Sequence, residues 1–259
     1  MAVIFLALAG LAWPVDPPES ATSADPVLHS GMGTPFTLTK GQGAAGVFQP
    51  LTVGLGPQTQ IGTSAPLFAL AAPRIRIKHR MGEWRGVHAA AVGSVGVPTL
   101  GLGLLSSLGV ISSDPDQQVT AAMVLEGGGV LGTRTDRWSQ GLTATVRLAG
   151  RGPNWGLESP GLPFFDTVLT PLTQGPVLCI RHVNEWTALR KSGRDTLGLR
   201  SDVRLQLGET SPDVQLSALL SWAPHPRWVL VGGWAGAYET LLQTRKWTAL
   251  PVGDLQVRW

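Results

Sequence analysis

The sequence predicts an all-β fold, a transmembrane antiparallel up-and-down β-barrel of roughly ten to twelve strands. Three observations lead there. Segments of about ten residues alternate in polarity with the period of two that a strand imposes. Clusters of Gly, Pro, Asp and Asn separate them, as turns between strands require. Most tryptophans fall at or near the segment ends rather than in the middle, where core packing would put them, with Trp234 the exception. Composition agrees: of 259 residues only 14% are charged, while 33 Gly, 20 Pro and 10 Trp are too apolar for disorder and too rich in helix breakers for a helical bundle.

Taken in chain order, residues 2–13 form a short apolar run, followed by Pro14, Asp16, Pro17, Pro18 and small residues through Ala24. That pattern is the core and cleavage region of a signal peptide, too short to span a bilayer as a helix. It departs from the usual form in one respect: no Lys or Arg precedes Lys40. Residues 1–24 are therefore expected to direct export, 25–42 to form an N-terminal extension, and 43–259 to form the barrel.

Strands are expected over residues 46–55, 60–70, 74–80, 86–97, 119–131, 142–148 and 177–189, with weaker candidates over 100–111 and 164–172. The last four, 197–207, 214–222, 228–238 and 249–259, form a meander of hairpins. In the first of these, Leu197, Leu199, Val203, Leu205 and Leu207 alternate with Arg200, Asp202, Arg204 and Gln206, so one face is oily and the other charged. The turn Glu209-Thr210-Ser211-Pro212-Asp213 leads into Val214, Leu216, Ala218, Leu220 and Trp222 on one face of the next. Earlier, Ile75 and Ile77 alternate with Arg74, Arg76, Lys78 and Arg80, and Leu142, Ala144, Val146 and Leu148 with Thr143, Thr145 and Arg147. Residues 112–118 and 151–163 are polar or Gly-rich and read as loops, the second presenting Arg151 beside Trp155.

A soluble sandwich hides its apolar faces against each other, whereas a membrane barrel turns them outward and borders them with aromatics. Trp84, Trp138, Trp186, Trp222, Trp228 and Trp247 occupy such border positions. The final strand carries Leu255, Val257 and Trp259 at two-residue spacing, with Asp254, Gln256 and Arg258 between. Here the chain resembles outer-membrane β-barrel proteins of Gram-negative bacteria, whose last strand ends in an aromatic read by the barrel-assembly machinery. The resemblance implies export through the periplasm, residence in the bacterial outer membrane, and outer-membrane lipid and that machinery as partners; it brings no functional residues with it.

Two rival folds compete with the membrane barrel. Residues 86–113 carry no Asp, Glu, Lys or Arg and are long enough for a spanning helix, but six Gly and Pro98 would weaken one. A soluble exported barrel that binds a small ligand is the other. The formal charge of +3 and a pI near 9.5 do not point to nucleic acid, because the basic residues are scattered without an RRM, KH or zinc pattern. Cys179 stands alone, which excludes an intrachain disulfide and a Cys-based metal site.

If the oily faces meet lipid, then Arg74, Arg76, Lys78, Arg80, Arg147, Arg200, Asp202 and Arg204 line a basic lumen. Such a lumen favours anions, or its cations pair internally with Glu126, Glu185 and Asp202, because a small barrel is filled by its own side chains. The expected function is a narrow or plugged small-solute channel, its solute unknown, or a structural envelope protein. An outer-membrane barrel enzyme acting on lipid is the alternative, for which His182 and Asn184 with a serine such as Ser201 are the available groups. No two histidines have metal-ligand spacing and Gly127-Gly128-Gly129 lacks the Lys of a phosphate loop, so no cofactor is expected.

Overall fold

The computed structural model describes residues 33–46, 50–63, 73–98, 122–135, 137–150, 176–191, 195–208, 212–225, 227–241 and 244–259. They form twelve strands: β1 (Gly43–Gly46), β2 (Leu51–Gly54), β3 (Thr59–Thr63), β4 (Arg74–Trp84), β5 (Val87–Gly96), β6 (Met123–Arg134), β7 (Trp138–Gly150), β8 (Val177–Lys191), β9 (Asp195–Leu207), β10 (Asp213–His225), β11 (Trp228–Leu241) and β12 (Thr244–Arg258). Each strand pairs antiparallel with the next, and β12 returns to β1. Closure leaves the sheet without a terminal edge strand; among the described residues the closing contact pairs Ala44, Ala45 and Gly46 with Arg258, Val257 and Gln256. Among the described residues there is no helix, so the fold is an all-β, twelve-stranded up-and-down barrel.

The strands expected over 46–55 and 60–70 need adjustment. Leu51–Gly54 and Gly43–Gly46 are separate strands that pair with each other, Ala44 opposite Thr52. The expected strand from 60 is described only to Thr63. The signal segment, the weak strand candidates at 100–111 and 164–172, and the loops at 112–118 and 151–163 lie outside the described residues.

Burial runs opposite to that of a soluble sheet. Along β7 the apolar Leu142, Ala144, Val146 and Leu148 are exposed, whereas Thr143, Thr145 and Arg147 are buried. In β4, Ile75 and Ile77 are each 49% exposed, while Lys78 between their strand neighbours is 0% exposed. The same inversion holds outward at Leu125 and Leu131 of β6, Leu199 and Val203 of β9, Leu216 and Leu220 of β10, and Leu255 of β12. Period-two alternation sends these side chains to the outside and the charged ones to the inside.

The two rims differ. At one, the connections 55–58, 85–86, 135–137, 192–194 and 226–227 are two to four residues long. At the other, the connections include residues 97–122 and 151–176, 26 residues each. The short-turn rim contains register shifts in β4 at Arg80/Gly82, in β8 at Thr187/Leu189 and in β10 at Trp222/His225, the location where bulges re-aim barrel strands. The turn between β4 and β5 places Arg85 and Gly86 at φ 50° and 77°, the pair of positive values that a two-residue hairpin uses.

Candidate functional site

The lumen of the barrel contains two structures, a strip of chain that precedes β1 and a network of charged side chains. Residues 33–42 enter beside β1 and β2, where Gly41 N donates to Gly54 O at 3.0 Å. They then cross the interior to β7 and β8. Leu38 N donates to Gln60 Oε1 at 3.2 Å, and Lys78 Nζ donates to Thr34 O at 3.0 Å and also to Phe36 O. Phe36 stacks edge-on against His88 at 5.0 Å, with the Arg134 guanidinium 5.6 Å from its ring. Leu38 and Thr34 are fully buried. At the far wall the strip lies directly on backbone: a methyl group at Gly141 would collide with the carbonyl oxygen of Gly33. Only glycine allows so close an approach. The segment therefore plugs the lumen on its short-turn side.

Beyond the plug, toward the long-loop rim, the register assembles charge in rows. Arg76 lies opposite Ser94, Ser94 opposite Glu126, and Glu126 opposite Arg147. Two inward rows closer to the plug, Thr143 lies opposite Arg181 and Arg181 opposite Arg204. Glu126 is heavily engaged: it pairs with Arg74, accepts from Thr145 Oγ1 at 2.7 Å and Ser94 Oγ at 3.2 Å, and has Arg147 Nε at 3.5 Å. Asp202 accepts from Arg181 Nε at 2.9 Å and lies 3.4 Å from Arg200, whose other nitrogen is 3.3 Å from Glu185. Pairs of this kind are held in place by a desolvated interior in which losing either partner strands a charge.

Of the residues expected to line a basic lumen, Arg74, Arg76, Lys78, Arg147, Arg200, Asp202 and Arg204 occupy inward register positions in this cluster. Arg80 lies nearer the short-turn rim, 3.1 Å from His88 and 3.6 Å from Glu83. Arg181 was not singled out by sequence reasoning, although it is central. Its strand carries Val177, Cys179 and Val183 on the same inward face, and Leu178, Ile180, His182 and Asn184 outward. Both faces mix apolar and polar groups, so polarity alone does not reveal the phase.

Apart from Trp234, which stands outward in the middle of β11, the described tryptophans divide between the rims. Trp84, Trp138, Trp186, Trp222 and Trp228 stand outward near the short-turn rim, with Trp259 beside them; Trp247 stands at the long-loop rim, 5.3 Å from Tyr238. Trp84 is also stacked by the Arg85 guanidinium at 4.8 Å. Leu255, Val257 and Trp259 lie on the outer face of the closing strand, where Gly43 N donates to Trp259 O at 2.9 Å.

His182, Asn184 and Ser201 come together on the outer face. Asn184 and Ser201 are register partners, and Asn184 Nδ2 is 3.5 Å from His182 Nδ1. No hydrogen bond joins Ser201 to His182 among the described residues, so the nucleophile-to-base link that activates a serine is missing. Nor do the described residues group three His, Cys, Asp or Glu side chains in a metal-binding arrangement.

Comparison with protein-family models, with curated proteins and with solved structures yields no match.

Proposed function

We propose that this chain is a membrane-spanning barrel of a bacterial outer membrane, a narrow small-solute channel with a basic lumen, closed at rest by residues 33–42. The observation that carries the reading is the inversion of burial, with charge enclosed and an oily exterior around the barrel. Leu131 and Trp247 are 54% and 62% exposed. A soluble monomer rarely exposes a contiguous apolar surface of this kind, whereas lipid is its natural surroundings. The tryptophan borders support the same placement, because indole rings favour the headgroup level.

The unequal rims orient the barrel. Outer-membrane barrels have short periplasmic turns and longer external loops, which puts the plug on the periplasmic side and the charged cavity toward the exterior. Export through the periplasm and insertion by barrel-assembly machinery follow from this reading, with the outward Leu255, Val257 and Trp259 of β12 as the segment that machinery would engage. The sign of the charged lumen favours anions.

Carbonate extraction and flotation of the full chain with its native membranes, or with vesicles into which it has been refolded, tests the proposal. A spanning barrel floats with lipid after carbonate treatment. Release into the supernatant would mean a soluble barrel and would sink the membrane reading.

A further inference from the structure

Among the described residues the acids in the lumen do not account for all of its bases. Arg76, Arg147, Arg181 and Arg204 line one cavity with Thr143 and Glu126, and its empty space of about 500 Å³ runs into solvent. Among the described residues Glu126 is the one carboxylate in that lining, and it is already engaged by Arg74, Ser94 and Thr145. Asp202 is taken up by Arg181 and Arg200. Among the described residues the Arg76 side chain makes no hydrogen bond or ion pair. Arg204 meets no carboxylate within ion-pair distance there, and its Nη1 reaches Gln215 Oε1 at a long 3.5 Å.

Two guanidiniums on β4 and β9, five strands apart around a twelve-stranded wall, thus face a common cavity, Arg76 with its fork unspent and Arg204 with only the long contact to Gln215. Bringing like charges together out of bulk water is unfavourable unless an anion joins them. Guanidinium forks match oxyanions in pairs of parallel hydrogen bonds. Several cations around one space favour a doubly charged, tetrahedral acceptor over a single-charge ion.

We propose that this cavity binds a phosphate-type oxyanion, held principally by Arg76 and Arg204, either free or as the terminal group of a larger phosphomonoester. It deepens the reading of a plugged barrel with a basic lumen, and rests on that reading only for the side from which the anion arrives. The plug lies between the cavity and the short-turn rim, so among the described residues the cavity opens toward the long-loop rim.

The test is calorimetric titration of the full chain, refolded in a phosphate-free non-ionic detergent, with inorganic phosphate, with glycerol phosphate and with a monoacylglycerol phosphate. Saturable binding is expected for phosphate and not for chloride at equal ionic strength. Arg76→Gln weakens it roughly tenfold or more, the loss expected for one charge-assisted hydrogen-bonding group, and Arg76→Gln with Arg204→Gln abolishes it. Arg85→Gln, at an exposed turn, leaves it unchanged. Binding of all three ligands indicates a water-soluble anion, and binding of the acylated one alone indicates a lipid headgroup; either supports the site if the double variant loses it. No binding by a protein with intact β-sheet circular dichroism, or binding that survives the double variant, overturns the proposal. Flotation is scored separately: a protein that binds phosphate but leaves the membrane keeps the site and loses the membrane reading.

Discussion

Replacing Lys78 with methionine should release the plug. Lys78 is completely buried and its ammonium holds the carbonyl oxygens of Thr34 and Phe36. Methionine keeps most of the volume and removes both bonds. A hydrogen bond to a charged group contributes about 1.5–3 kcal/mol, and part of the sum is offset because the ammonium need no longer be desolvated, leaving roughly 3 kcal/mol. At 1.4 kcal/mol per factor of ten, the ratio of displaced to docked plug rises about a hundredfold. The assay uses Leu38→Cys in a Cys179→Ala background, labelled by a water-soluble maleimide. Leu38 is completely buried when the plug is docked, so labelling reports displacement, and the comparison with and without Lys78→Met cancels the effect of the reporter itself. A labelling rate that changes less than twofold, with the barrel still folded, would refute the claim that Lys78 pins the segment.

Other consequences follow from the same geometry. Gly141→Ala puts a methyl group against the Gly33 carbonyl and should produce conductance steps in a planar bilayer where the unmodified chain is silent; Gly129→Ala, whose nearest neighbour would be the Ala90 oxygen at 3.8 Å, should not. In a plug-released background the reversal potential under a salt gradient should be anion-biased, and Arg76→Gln with Arg204→Gln should move it toward zero. Glu126→Gln strands several cations at once and should lower stability by about 3–5 kcal/mol, read from the urea midpoint in vesicles. Leu220→Arg, outward and near the middle of β10, should cost about 2–4 kcal/mol in lipid, and Trp222→Arg, nearer the rim, markedly less.

The parts of the fold that were legible are those in which each strand face has one character. In β7 and β9, apolar residues occupy one parity and polar or small residues the other, so the strands and their outward faces follow from spacing; in β10 to β12 the contrast is weaker, with Leu219, Val229, Val231, Leu250 and Val252 on the second parity. Where that contrast fades, so does the reading. Residues 46–55 look like one strand, although Pro50 signals a break because it cannot donate to a ladder. In β8 both faces are mixed, and Arg181 and Glu185 become visible as lumen residues only when the register with β7 and β9 is known. The plug was the least legible. Gly33 to Gln42 has no periodicity, and Leu38 is buried by the walls it meets, including Gln60 from a strand 22 residues later. Lys78 was expected in the lumen from alternation, but that its partners are backbone carbonyls is a tertiary fact.

The most direct measurement of the central claim is a spin-label scan along β10 in lipid vesicles, recording collision with oxygen and with a water-soluble nickel chelate at successive positions. If the barrel spans the bilayer as argued, labels at Leu216, Ala218 and Leu220 meet oxygen and not the chelate, while labels at Gln215 and Ser217 show the reverse or neither. Equal exposure of both parities to the chelate would mean that the apolar face does not meet lipid, and the account of an outer-membrane barrel would fail.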